Sequence, residues 1–86
     1  MMDEKYLAPL KPKVICEDGF EMSVQNNWDH HCDEWSSEVG FPSKIEELLM
    51  PYIYNPDKPT RTIYTYVPNE VIEKIIEKHG GRKKLI

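Results

Sequence analysis

The chain has 86 residues, of which 40% are apolar, 30% charged and 10% aromatic. That is enough for one domain with a radius of gyration of about 12 Å, and not for two. Such a domain buries only roughly 60 to 65% of its unfolded surface, so a deep enclosed cleft would consume its core and large-cofactor enzymes are excluded. No apolar run approaches the ~20 residues of a membrane span, and the opening residues carry acids where an export leader carries an apolar stretch. A cytoplasmic protein with no membrane partner is expected. Its two cysteines are then expected as thiols rather than as a disulfide.

The net charge of −4 is unevenly spread. Residues 17–47 hold nine acids (Glu17, Asp18, Glu21, Asp29, Asp33, Glu34, Glu38, Glu46, Glu47) against Lys44 alone, a balance of −8; ten bases against six acids elsewhere give +4. Direct nucleic-acid binding requires a clustered cationic footprint for the phosphates. The cluster present, Arg82-Lys83-Lys84, reads as a loose basic C-terminal tail over 82–86. An acidic middle instead attracts a basic surface on another protein and speeds the encounter.

In chain order, residues 1–12 contain Pro9 and Pro12 without periodicity and read as an extended lead-in, leaving 13–81 as a single domain. Lys13 to Cys16 is a short β-type run, Glu17-Asp18-Gly19 a turn, and Phe20 to Gln25 a strand with Phe20, Met22 and Val24 on one face. Residues 26–35, rich in Asn, Asp and His, read as a loop. Ser36 to Phe41 can form a third strand, stopped by Gly40 and Pro42. Ser43 with Glu46 spells a capping box, and Ile45, Leu48 and Leu49 form an apolar stripe, so a helix of about two turns is expected before Pro51. After the turn cluster Asn55 to Pro59, Thr60 to Val67 alternates as a strand, with Ile63, Thr65 and Val67 on one face and Thr62, Tyr64 and Tyr66 on the other. Pro68 opens an amphipathic helix of about three turns, with Val71, Ile72, Ile75, Ile76 and His79 on its apolar face until Gly80 and Gly81. The order β-β-β-α-β-α predicts an α+β fold: a small, mostly antiparallel sheet with the C-terminal helix packed on one face.

Chemistry-bearing residues concentrate in Trp28-Asp29-His30-His31-Cys32-Asp33-Glu34-Trp35. Asp-His-His-Cys matches the signature of membrane-bound palmitoyltransferases, yet neither their cysteine-rich zinc domain nor their membrane spans are present. A metal set of His30, His31, Cys32 and Asp33, completed by Cys16 or His79, has suitable donors but lacks the paired spacings of closed zinc sites. A Cys32 nucleophile would need His30 or His31 as base and Asp29 or Asp33 behind it, and sequence neighbours point apart. The carboxylates Glu34 and Glu38 make a pair that an acidic stretch produces by chance. No phosphate loop, dinucleotide fingerprint or zincin motif occurs. The reading is therefore a non-enzyme without a cofactor.

Aromatic side chains carry the stronger signal. Trp28, Trp35, Phe41, Tyr52, Tyr54, Tyr64 and Tyr66 exceed what one small core can absorb, and Trp or Tyr beside carboxylates anchors protein interfaces. Trp28, Asp29, Asp33, Glu34, Trp35 and Glu38 are the expected partner-binding residues. Tyr64 and Tyr66, if uncovered on their sheet face, would drive self-association into a homodimer.

The blocks Asp18-Gly19-Phe20-Glu21-Met22-Ser23-Val24-Gln25, Glu38-Val39-Gly40-Phe41-Pro42-Ser43, and Tyr66-Val67-Pro68 with Glu70-Val71 and Lys78-His79-Gly80-Gly81, resemble a family of small proteins of undefined role from bacteriophages, prophages and other mobile elements. The resemblance spans roughly residues 13–81. Members carry Tyr-Cys followed by Pro-Arg in the middle loop, whereas Cys32 here is followed by Asp33-Glu34, so no role of that basic residue transfers. The resemblance implies an accessory protein acting against host defences in the bacterial cytoplasm, either by covering a defence protein's surface or by sequestering a signalling molecule. The acidic middle favours the first: an anti-CRISPR-like inhibitor of a nucleic-acid-binding defence effector. An oligomeric nucleotide-signal or metal-binding module is the alternative.

Overall fold

The structure is a computed structural model, and it describes residues 11–26 and 34–84. Four antiparallel strands lie side by side in chain order: β1 (Val14–Ile15), β2 (Glu21–Gln25), β3 (Ser36–Gly40) and β4 (Ile63–Pro68). A 3₁₀ helix, Glu47–Tyr52, separates β3 from β4, and α1, Asn69–Lys78, follows β4 directly. The small α+β architecture is the one the sequence predicts. No helix among the described residues is long and apolar enough to cross a membrane.

The β1–β2 hairpin pairs Val14 with Met22 and Ile15 with Glu21. Its turn places Gly19 at φ +93°, a conformation open to glycine at no steric cost. Asp18 Oδ1 closes the turn by accepting the Phe20 N–H at 2.9 Å. Across the sheet, Val24, Val39 and Tyr64 are aligned on the face that α1 covers. Phe20, Met22, Val39, Tyr64 and Val67 join Ile72, Ile75 and Ile76 of α1 in one core. The isoleucines recur at i, i+3 and i+4, which places them on one helix face, and each contributes roughly 1.5–3 kcal/mol on burial.

Strand β4 departs from the predicted alternation. Ser37 pairs with Val67 and Val39 with Tyr64, so Glu38 alone stands opposite both Thr65 and Tyr66. This β-bulge shifts the side-chain parity by one residue. Tyr64 and Val67, three positions apart, therefore both point into the core and are fully buried, while Tyr66 turns outward at 52% exposure. The bulge is made by Tyr66 itself, at φ +51°. The expected Tyr64/Tyr66 self-association face is thus corrected: Tyr64 is interior, its hydroxyl donating to the Pro59 carbonyl at 2.6 Å, and burial pushes that hydroxyl's pKa up.

The short helix also differs from its expected form. Ser43 does not cap it, because its hydroxyl accepts the Glu21 N–H at 3.0 Å and its own N–H donates to the Glu21 carbonyl. Glu46 is the cap instead, its carboxylate accepting the Leu48 N–H. Pro51 lies within the turn and supplies no N–H, which disfavours an α-helical continuation. Of the predicted stripe, Leu49 is buried, while Ile45 and Leu48 remain exposed.

The basic tail is a correction too. Arg82 bridges Cys16 in antiparallel fashion, and the Lys83 N–H donates to the Ile15 carbonyl at 2.8 Å. Residues 82–84 thereby add a partial strand outside β1, covering an edge that would otherwise present unpaired backbone groups. On the lead-in, Gln25 acts as a backbone surrogate: its Oε1 accepts the Lys11 N–H at 2.9 Å and its Nε2 donates to the Lys11 carbonyl at 3.0 Å.

Candidate functional site

Two groupings of polar side chains stand out. The first joins three chain segments around His79, which caps the C-terminus of α1. Its Nδ1 lies 2.6 Å from Asp18 Oδ2 in the hairpin turn, and its Nε2 lies 2.6 Å from Glu46 Oε1. Phe20 stacks on the ring at 4.2 Å between centroids and 10° between planes. Lys78 Nζ donates to the other Glu46 oxygen at 2.9 Å. Each ring nitrogen thus faces one carboxylate oxygen, from a different segment of the chain.

The electrostatics follow this geometry. The Phe20 N–H, and then His79, hold the Asp18 carboxyl below its ordinary value. Burial pushes Glu46 up, but hydrogen bonds from Lys78, the Leu48 N–H and His79 outweigh it and leave the group lowered. The same bond to Glu46 raises Lys78. His79 is 7% exposed with both nitrogens engaged, so it offers no ring position to a substrate or a metal. This removes the predicted role of His79 as a completing ligand. Cys16 is wholly buried and its thiol is raised, chiefly by that burial and then by the nearby Asp18 charge. Among the described residues no cluster of His, Cys, Asp and Glu is arranged to hold a metal ion.

Of the nine acids in residues 17–47, Asp18 and Glu46 are directed at His79 and Lys78, and Glu17 accepts the Lys84 N–H. Trp28, Asp29 and Asp33, with His30, His31 and Cys32, lie outside the described residues.

The second grouping sits where β3 begins and β4 ends. Trp35 is 75% exposed, and its carbonyl accepts the first N–H of α1, from Asn69, at 3.0 Å. Ser36, next in the chain, pairs with Pro68, and two positions on Glu38 faces the Thr65–Tyr66 bulge. Glu34, Trp35 and Tyr66 are exposed and Glu38 is half-buried. Glu38 pairs with Gln25 on the sheet face opposite α1. Among the described residues the remaining exposed aromatics, Phe41 and Tyr54, lie at the other end of these strands, where their N–H groups bond to the carbonyls of Thr62 and Ile63. The Trp35 end combines aromatic surface with the acids Glu34 and Glu38. Sequence reasoning singled out Trp35, Glu34 and Glu38 there, and grouped Tyr66 with Tyr64 for self-association because strict alternation conceals a bulge.

No family model, curated protein or solved structure matches the chain.

Proposed function

We propose that the protein acts by binding rather than by catalysis, docking on a basic surface of another protein through Glu34, Trp35, Glu38 and Tyr66. The observation that carries this reading is Trp35, three-quarters exposed just before β3, together with a Tyr66 held at positive φ near the end of β4. A left-handed non-glycine residue costs roughly 1–3 kcal/mol, and such strain persists where the projected side chain has a use. Trp and Tyr are the commonest interface anchors because their large rigid surface is ordered at low entropic cost. The two carboxylates supply steering toward a cationic partner and discriminate against acidic ones. Trp28, Asp29 and Asp33 extend the same reading by their place in the chain.

Taken with the resemblance to phage-borne proteins, the partner proposed is a nucleic-acid-handling defence protein of a bacterial host, whose cationic groove the acidic end would occupy. The test is affinity capture from host lysate with the native chain, with Trp35→Ala and with Glu34→Lys/Glu38→Lys. The reading expects a partner of basic surface retained by the native chain, lost from both variants and released by salt. Equal capture by all three proteins contradicts it.

A further inference from the structure

A cavity of about 490 Å³ opens between α1 and the β1–β2 hairpin, within the range that small-molecule sites occupy. Its apolar lining includes Val14 and Ile15 of β1, Val24 of β2 and Ile72 of α1. Ser37 and Asn69 add hydrogen-bonding groups to the wall, already aligned by the Ser37 hydroxyl donating to Asn69 Oδ1 at 2.7 Å.

Four cations from two distant parts of the chain line the same cavity: Lys11 and Lys13 from the run before β1, and Arg82 and Lys83 from the tail. Both segments are fastened. Gln25 clamps Lys11 through two backbone bonds, and the Ile15 carbonyl and the Cys16 bridge hold Lys83 and Arg82. Among the described residues one carboxylate of the lining stands against them, Glu73, which lies 3.7 Å from Arg82 in an exposed pair. Among the described residues the lining therefore carries four positive charges and one negative, in a protein of net charge −4.

We propose that this cavity binds an organic phosphate of about mononucleotide size. The excess of cations matches a doubly charged head better than a single carboxylate, and Arg82 offers the planar fork that grips phosphate oxygens. The apolar lining takes the organic body, and Ser37 and Asn69 meet its polar edge. Pre-fastened backbone lowers the entropy lost on binding.

The test is calorimetric titration of the full chain with adenosine monophosphate, phenyl phosphate, inorganic phosphate, adenosine and decanoate, repeated with Lys13→Gln, Arg82→Gln and, as a charge control away from the cavity, Lys58→Gln. Melting curves confirm that each variant is folded, and Lys83→Gln replaces any that is not. The proposal expects the two organic phosphates to bind at least tenfold more tightly than inorganic phosphate or adenosine. It expects a tenfold or greater loss in the cavity variants, a weakening with salt, and no change in Lys58→Gln. Absence of binding, preference for decanoate, or equal loss in Lys58→Gln overturns it.

Discussion

His79 Nε2 and Glu46 Oε1, thirty-three positions apart in the chain, meet at 2.6 Å in the interior. Asp18 completes the contact from the hairpin turn. The end of α1, the start of the 3₁₀ helix and the first turn are thus locked together by one imidazole ring. Removing the ring takes one hydrogen bond from Asp18 and one from Glu46, which Lys78 and the Leu48 N–H still hold, and costs about 1.5–3 kcal/mol. His79→Ala should lose about that much, read as a fall in the denaturant midpoint, and Asp18→Asn, at the exposed side of the ring, should lose less.

The same cluster sets a pH dependence. Asp18 and Glu46 are lowered in the folded state from ordinary values of 3.8 and 4.5. In the unfolded chain they take up protons first, so their contribution is complete above those values and disappears as pH falls through the depressed ones. Lys78 is raised above 10.5, so its contribution is present below that value and is lost as pH rises through the raised one. Unfolding midpoints in urea should fall on acidification below about pH 4.5. Glu46→Gln should flatten that acid limb, and an unchanged limb in this variant would contradict the assignment.

Tyr66 separates stability from binding. Glycine removes the left-handed penalty of roughly 1–2 kcal/mol, and a half-exposed tyrosine gives up little burial. Tyr66→Gly is expected to melt at the same or a higher temperature than the native protein while binding its partner at least tenfold more weakly. A drop in melting temperature would show that the tyrosine ring supports the fold rather than a partner.

In the core, Ile75 is fully buried between α1 and the sheet. Ile75→Ala should cost about 2–5 kcal/mol through lost transfer energy and the cavity left behind. Glu70→Ala on the outer helix face should stay within about 0.5 kcal/mol of native, and equilibrium denaturation of the two variants checks the contrast.

How much of this could be read from residues alone depended on whether a signal was local. The hairpin turn at Gly19, the strands and the isoleucine face of α1 follow from neighbouring residues, whose periodicity and turn chemistry do not depend on distant contacts. The capping box at Ser43 failed because Glu21, on another strand, claims the hydroxyl. Alternation in β4 failed at one residue because a bulge leaves no mark when a tyrosine, not a glycine, takes the left-handed position. His79 fitted the apolar stripe of α1, and its carboxylate partners are non-local, so the cluster could not be seen. The tail looked loose for the same reason: its partners, Ile15 and Cys16, belong to the first strand. Trp35, Glu34 and Glu38, on which the proposed docking edge rests, were singled out by residue type and proximity in the chain.

The docking edge is tested most directly by the affinity of a captured partner for the native chain and for Trp35→Ala, measured at low and high salt. The account predicts a folded Trp35→Ala protein, with a melting temperature close to native, that binds at least tenfold more weakly, and native binding that weakens steeply as salt is raised. Equal affinities for the two proteins, or native binding indifferent to salt, would contradict it.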